Sequence, residues 1–253
     1  LDVIATHAPR GRVVAVNDVV PLLWSSPLNG AGIVVCSGTG SSVLGRDAAG
    51  RQRKVGGHEH IISDAGSAYS IGRRGLRAAA RDADLTGAST KLRPTAESFF
   101  ERPIPAVGRW LAELPRARST VASFAPAVIR LAEDGDPVAQ AIVEGEAAAL
   151  ADAVAVAAAA LSLGPMPTIG LAGGVHINSA HFRSLVGAAL EKRDLTDGSR
   201  GNIHQVTASE AGAEYARRLA DANGTSLPDG EVLEISETAA IRSGQQQPSP
   251  GVE

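Results

Sequence analysis

The stretch that constrains this chain most is a loop of small residues, Gly38-Thr39-Gly40-Ser41-Ser42, which follows the apolar run Gly32–Ser37. The apolar run predicts a buried strand, residues 43–46 predict a second strand, and residues 51–55 predict a third. Glycines let backbone N–H groups converge without obstruction from a Cβ atom, and such a nest binds anions such as phosphate. A loop of this composition is also typical of a plain hairpin turn, so the neighbouring segments decide its function.

The composition excludes several classes of protein. The 253 residues suffice for one large domain or two small ones, and 44% are hydrophobic and 20% charged. The formal net charge of −3 offers no basic field for nucleic acid. The longest apolar stretch, residues 147–163, is rich in alanine and carries Asp152, which predicts a buried helix and not a membrane span. With no secretory signal pattern at its start, the chain is expected to be cytoplasmic.

The ligands for a metal centre are sparse. Cys36, the single cysteine, stands inside an apolar strand and is expected to be a small buried hydrophobe, so a disulfide framework, a cysteine-bound zinc ion and an iron–sulfur cluster all lack ligands within the chain. His58 and His60, with Asp64 nearby, form a weak metal pattern without a further ligand. We therefore predict no protein metal site.

A carboxylate follows the first predicted strand. Residues 13–16 are continuously apolar, as in a strand covered on both faces, and Asn17-Asp18 ends the run. The carboxyl end of such a strand faces the crevice in which α/β proteins bind ligands. Residues 19–24 predict a short helix, so Asp18 has two interpretations that the residues alone leave open: a helix N-cap or a catalytic base.

Two further segments have the character of binding loops. Residues 56–69 are polar and glycine-rich, lie between the predicted sheet and a helix over residues 71–81, and offer Asp64 or Ser67 as its cap. Residues 168–172 predict a buried strand that ends at Gly173-Gly174-Val175, where glycines permit close approach of a flat ligand.

The remaining pattern is mostly helical. Pro94 has the form of a helix start, Pro137 that of a first helical residue, and residues 224–253 predict a disordered tail. Further helices are predicted over residues 107–114, 121–134, 137–163, 179–191 and 210–223, and a strand over 201–206.

In this order and spacing, the pieces resemble the sugar-kinase, Hsp70 and actin superfamily, and more closely the N-acetylglucosamine kinases of the BadF/BadG-type ATPase family. The most specific part is residues 63–74, with residues 135–139 and 210–213 as further matches. The resemblance spans roughly residues 13–220 and implies an α/β, ribonuclease H-like actin/sugar-kinase ATPase fold, mainly its carboxyl-terminal lobe. The implied division is the end of an amino-terminal lobe (1–27), the carboxyl-terminal lobe (28–223) and the tail (224–253).

The resemblance also implies an activity: phosphorylation of an amino sugar, with N-acetylglucosamine and its 6-phosphate as the first choice, by ATP with Mg²⁺. Asp18 would be the general base that takes the proton from the attacking hydroxyl. The implied ATP-binding residues are Gly38, Thr39, Gly40, Gly173, Gly174 and Val175. The implied sugar-binding residues are Asn17, Ser41, Ser42, Gly57, His58, Glu59 and Asp64. The expected partners are the sugar and ATP, without nucleic acid or membrane, and a homodimer is left open.

The chain departs from the family pattern in three places. Gly57-His58-Glu59 stands where the family often has Gly-Trp-Gly, which leaves the sugar open, and Asp64-Ala65-Gly66 stands where it often has Asp-Glu-Gly. The Asp-x-Gly-Gly-Thr hairpin that holds Mg²⁺ and phosphates in the family does not occur in these residues. We therefore expect this polypeptide alone to bind nucleotide weakly and to transfer phosphate slowly.

Two other functions remain open at this stage. One is an ATPase activator of an acyl-CoA dehydratase or reductase, which needs cysteines for a cluster. The other is a regulator that binds nucleotide or sugar without turnover.

Overall fold

The computed structural model describes residues 11–221 and 231–235, which fall into two compact units. The described strands are β1 (Gly11–Ala15), β2 (Gly32–Ser37), β3 (Ser41–Arg46), β4 (Gln52–Gly56), β5 (Ile169–Ala172), β6 (Ile203–Gln205) and β7 (Glu231–Ile235). In the first unit, β1 and β7 pair antiparallel. β7 departs from the disorder expected for residues 224–253; the rest of that segment lies outside the described residues.

The second unit begins at Asp18 and contains a five-stranded sheet in the order β4-β3-β2-β5-β6. The strands β2, β3 and β4 form an antiparallel meander, whereas β2, β5 and β6 run parallel. Ile33, Val34 and Val35 of β2 are completely buried, which explains why the middle of this strand is continuously apolar. The meander confirms the three strands predicted around the glycine loop, each within a residue or two.

Helices occupy most of the remaining chain. They are α1 (Glu59–Ile62), α2 (Ala68–Ala83), α3 (Leu92–Phe100), α4 (Ile104–Glu113), α5 (Ala117–Ala122), α6 (Ala125–Glu133), α7 (Pro137–Ala160), α8 (Gly174–Asn178), α9 (Ala180–Glu191) and α10 (Ala208–Asp221). Helix α7 packs on β2, β3 and β4 and on α2, α6 and α9. Because α7 consists largely of alanine, its neighbours approach closely around the core.

A short 3-10 helix, Pro21–Trp24, opens the second unit. Leu22 and Leu23 are buried, and the helix packs on α10, β2 and β5. The second unit therefore begins at Asp18, whereas the resemblance implies a lobe boundary after residue 27, and that lobe division stays a prediction. The N-cap of this helix is Val20 without a side-chain hydrogen bond, so the structure does not support a capping role for Asp18.

Several predicted helices differ from the structure in their number or their bounds. The single helix expected over residues 121–134 is two helices, α5 and α6, because Pro126 lies in the first turn of α6, where it has no amide to continue a helix from α5. Helix α3 begins at Leu92, ahead of the predicted start at Pro94. Helix α7 begins at Pro137 as predicted, and the Asp136 carboxylate caps it by accepting hydrogen bonds from the amides of Val138 and Ala139.

Within residues 11–221 and 231–235, none of the helices has the length and apolarity that a membrane crossing requires.

Candidate functional site

The loop at residues 38–40 is fixed by the first turn of α2. The amide of Ala68 donates to the carbonyl of Gly38 at 2.8 Å, and that of Tyr69 donates to the carbonyl of Thr39 at 3.3 Å. Gly38 donates its own amide to the carbonyl of Gly40 at 2.9 Å. No hydrogen bond from the amides of Thr39 and Gly40 occurs in the described part of the chain. Both N–H groups are therefore left for a ligand, as in an anion-binding nest.

A second loop, residues 63–67, lies directly against the first. The hydroxyl of Ser37 donates to the carbonyl of Gly66, and that of Ser41 donates to the carbonyl of Ala65 at 2.7 Å. Ser67 caps α2 by accepting from the amide of Ser70 at 3.0 Å, which selects it over Asp64 as the cap. The two loops that the sequence singles out therefore form one structure.

A buried carboxylate from α7 supports this second loop. Glu146 accepts hydrogen bonds from the amide of Gly66, from the hydroxyl of Ser70 at 2.7 Å and from Arg74 at 3.1 Å. Its side chain is only 2% exposed. The sequence analysis misses Glu146; the signal available was a single acid on the apolar face of an alanine-rich helix.

Asp64 is placed by its backbone and by an arginine. Its φ of 72° lies in the left-handed region, which turns the buried carboxylate toward Gly40. Arg118 Nη2 donates to Asp64 Oδ2 at 2.9 Å, and Arg118 Nη1 donates to Glu59 Oε2 at 3.2 Å. Arg118 is the second residue that the sequence analysis misses, because its only signal is a charge near the start of a short helix.

Glu59 and Asp64, two of the predicted sugar-binding residues, share Arg118, and a third, Gly57, lies beside Ser42. Gly57 has a φ of 69°, and a Cβ atom there would lie 3.0 Å from Ser42. His58 is exposed and precedes α1 without capping it through its side chain. The ring of His60 meets the ring of Tyr69 edge-on at a centroid distance of 5.0 Å. The structure thus brings residues 57–64 close to the hairpin loop and the start of β3.

A cavity of about 790 Å³ opens on the other side of the hairpin loop. Its lining residues are Gly38, Thr39, Ala68, Ser119, Ala122, Ser123, Ala125, Pro126, Ile129, Arg130, Glu133, Gly174, Val175, Asn178, Ser179, Ala180 and His181. This volume is in the range of small-molecule sites. Four of the predicted ATP-binding residues therefore face one cavity. The other two, Gly40 and Gly173, are not among its lining residues; Gly40 packs on Asp64 and Gly173 on Ser37.

Gly173 explains how β2 and β5 come so close at this end. Its φ is +92°, and a Cβ atom there would lie 2.3 Å from the carbonyl oxygen of Ser37. Only glycine fits such an approach. Gly174 and Val175 then begin α8 and face the cavity.

Asp18 is exposed and lies near the end of β2. Burial, together with the negative charge of Asp18, raises the pKa of the Cys36 thiol, and this electrostatic effect requires the two side chains to be close. Cys36 is the last residue of β2 but one, directly before the hairpin loop. Cys36 is half-buried, whereas the sequence predicts a fully buried side chain. Asn17 is also exposed, but it belongs to the first unit.

Histidine 176 lies below the cavity floor in α8. It is completely buried, its ring lies 5.6 Å from that of Phe182, and neither ring nitrogen has a hydrogen-bond partner among the described residues. Burial, aided by the positive charge of Arg183, lowers the pKa of His176 to about 4. The imidazole is therefore neutral at physiological pH and serves as a packing group.

The chemistry of these donors suits a nucleotide better than a bare metal ion. Unpaired amides at residues 39 and 40 and a cavity beside them offer anion contacts and space for a base. In the described ranges, no three His, Cys, Asp or Glu side chains converge as metal ligands do.

Comparison with known proteins supplies the relatives. Over 100 residues, 40% of this chain and 33% of the relative, the chain is 37% identical to the N-acetylmuramic acid/N-acetylglucosamine kinase of Clostridium acetobutylicum. The fold resembles two structures that carry the name N-acetylglucosamine kinase. The one from Chromobacterium violaceum has a TM-score of 0.60 at 21% identity, with 78% of this chain covered. The one from Porphyromonas gingivalis has a TM-score of 0.61 at 16% identity, with 80% covered.

The match spans about 64% of each of these two structures. Their likeness confirms the predicted α/β sugar-kinase ATPase fold. The family model of the BadF/BadG/BcrA/BcrD ATPase family matches residues 3–197, which include every residue of the loops and the cavity rim described above up to His181. The sheet order, the paired loops and this match lead to one conclusion: the chain belongs to the BadF/BadG/BcrA/BcrD ATPase family.

Proposed function

We propose that the protein is an ATP-dependent kinase of an amino sugar, with N-acetylglucosamine as acceptor and its 6-phosphate as product. Support comes from the family match and from the relative and the two structures, whose names specify N-acetylglucosamine or N-acetylmuramic acid.

The observation that carries the proposal is the position of the hairpin loop. On one side, Gly38 and Thr39 line the 790 Å³ cavity. On the other side, Gly40 packs against the carboxylate of Asp64, so that a Cβ atom on Gly40 would lie 2.9 Å from Asp64 Oδ2. A kinase needs this arrangement, because the phosphates must lie between the nucleotide and the acceptor.

On this proposal, the nucleotide occupies the cavity. Gly174 and Val175 lie along the adenosine, where the small Gly173 turn lets them come close. The backbone of residues 38–40 and the hydroxyl of Thr39 hold the phosphates. Mg²⁺, when bound, neutralises charge on the phosphate oxygens.

The acceptor occupies the other side. Asp64 and Glu59 accept hydrogen bonds from sugar hydroxyls, since a carboxylate binds O–H groups strongly. Ser41, Ser42, Gly57 and His58 complete this site within the second unit. Asp18 takes the proton of the sugar 6-hydroxyl while the oxygen of that hydroxyl bonds to the γ-phosphorus of ATP. The bond between the γ-phosphorus and the β,γ-bridging oxygen breaks, and ADP is released.

The test uses the complete gene product, purified and supplied with ATP, Mg²⁺ and one of four acceptors: N-acetylglucosamine, N-acetylmuramic acid, glucosamine or glucose. ADP release is measured by a coupled assay, and the position of the phosphate by NMR. We expect N-acetylglucosamine 6-phosphate. No ADP release and no phosphorylated product with any of the four acceptors would refute the proposal.

Asp18→Asn tests the base. We expect kcat to fall by about 10²- to 10⁴-fold, the usual contribution of general base catalysis, with a small change in KM. Asp84→Asn is the matched control, because Asp84 is an exposed aspartate at the far end of α2. A kcat of Asp18→Asn equal to that of the control would exclude Asp18 as base.

The main rival is a regulator without turnover. Calorimetric titration with the same four sugars, with and without ATP, separates the two functions. Binding of sugar and nucleotide without product would favour the regulator.

A further inference from the structure

Arg118, at the start of α5, forms ion pairs with two carboxylates. Its Nη2 donates to Asp64 at 2.9 Å and its Nη1 to Glu59 at 3.2 Å. The Asp64 side chain is 3% exposed, whereas that of Glu59 is 76% exposed. The Asp64 carboxylate is almost fully buried, and its pair with Arg118 fixes its orientation.

The guanidinium lies where three parts of the site meet. A Cβ atom on Gly40 would lie only 2.6 Å from Arg118 Nη2, so the arginine packs directly on the hairpin loop. The residue after it, Ser119, lines the cavity, as do Ala122 of the same helix and Ser123, which follows the helix. Arg118 therefore ties the acidic loop, the hairpin loop and one cavity wall together.

The charges decide what Arg118 can do. One guanidinium faces two carboxylates, so it has no surplus positive charge for a phosphate. Asp64 uses Oδ2 for the arginine, and in the described ranges Oδ1 accepts no hydrogen bond. An arginine that is planar and forked holds two carboxylates in fixed relative positions, which a lysine does not. The other oxygen of each carboxylate is then held in position to accept a hydrogen bond from one of two neighbouring sugar hydroxyls.

We propose that Arg118 is a positioning residue for the acceptor: it holds Asp64 and Glu59 so that they bind two hydroxyls of the sugar. This role rests on the proposed function. It predicts that the arginine governs affinity for the sugar while leaving the nucleotide and the chemical step almost unchanged.

The test compares Arg118→Ala, Arg118→Lys and Arg116→Ala in the complete gene product. Arg116 is exposed and immediately precedes α5, so it controls for the loss of a charge at this helix. In Arg118→Ala, we expect KM for N-acetylglucosamine to rise by about 10- to 100-fold, as for a small misplacement of binding groups, with kcat and KM for ATP within about 3-fold. Arg118→Lys should lie between, and added guanidinium ion should partly restore Arg118→Ala.

Each outcome has a separate meaning. An unchanged KM for the sugar in Arg118→Ala overturns the proposal, and so does a loss of kcat with the sugar KM unchanged, which would indicate a role in phosphoryl transfer. If Arg118→Ala fails to fold, Arg118→Lys decides: a sugar KM equal to the wild type overturns the proposal, and a raised one supports it. Wild-type protein that neither binds nor phosphorylates sugar refutes the proposed function itself, before any variant is made.

Discussion

Replacing Glu146 with alanine should destabilise the fold strongly, although the residue lies in a helix and touches no ligand. Its carboxylate is the acceptor for the amide of Gly66 and the hydroxyl of Ser70, both of which are buried. In Glu146→Ala both donors lose their partner without gaining water. The loop of residues 63–67 would then lose its support from α7.

The magnitude follows from these contacts. An unsatisfied buried donor costs about 1–3 kcal/mol, so two donors cost about 2–6 kcal/mol, with about 4 kcal/mol as the central value. Arg74 adds little, because its side chain is 45% exposed and can turn to water. In Glu146→Gln the amide can still accept from Gly66 and donate to Ser70, so the loss should be about 1–2 kcal/mol. A native protein of ordinary stability has about 5–15 kcal/mol in total.

The measurement is urea unfolding followed by circular dichroism, with the free energy of unfolding taken from the transition. The control is Glu144→Ala, which removes an exposed carboxylate from the same helix and should change stability by less than about 0.5 kcal/mol. If Glu146→Ala and Glu144→Ala unfold at the same urea concentration, Glu146 does not support the loop and the reasoning fails.

Three further predictions concern the region around the cavity. Burial lowers the pKa of His176 from 6.5 to about 4, so the unfolded chain binds a proton at a higher pH than the folded protein does. The free energy of unfolding should therefore be highest above pH 6.5 and should fall by about 3 kcal/mol as the pH falls toward 4. His176→Leu should flatten this part of a stability–pH curve; identical curves for His176→Leu and the wild type would contradict the assignment. Gly173→Ala should fail to fold or lose more than about 3 kcal/mol, since its Cβ would lie 2.3 Å from the Ser37 carbonyl; a thermal midpoint near that of the wild type would show that the strands can separate there. Gly174→Ala, whose Cβ would meet nothing closer than 3.7 Å, should fold normally but bind ATP more weakly, and unchanged affinity in a titration would place the nucleotide elsewhere.

The sequence predicts the sheet better than the helices. Strands such as β2 are buried on both faces, so a continuous apolar run, Ile33–Val35, marks the strand plainly. The division between α5 and α6 depends instead on Pro126 and on the packing of Phe124, which is completely buried. The apolar spacing of Phe124 and its neighbours continues through that break, so periodicity alone predicts a single helix.

The candidate site shows the same contrast. The glycine loops are visible in the sequence because the backbone itself makes the site, and only glycine permits the approach at Gly173. The sequence does not reveal the roles of Arg118 and Glu146, because these roles depend on partners far along the chain. Arg118 and Asp64 are 54 residues apart, and Glu146 and Gly66 are 80 residues apart. Local patterns carry no information on such pairs, whereas the fold brings them into contact.

The two hydrogen bonds from the amides of Ala68 and Tyr69 to the hairpin loop restrict the motion of that loop. These two amides are among the unsatisfied N–H groups that every helix has at its beginning, and here the carbonyls of residues 38 and 39 occupy them. The hairpin tip can therefore swing outward only if those bonds break. The amide hydrogens of Ala68 and Tyr69 should therefore exchange with solvent only when the tip opens. A ligand that binds the tip should lower both exchange rates by the same factor.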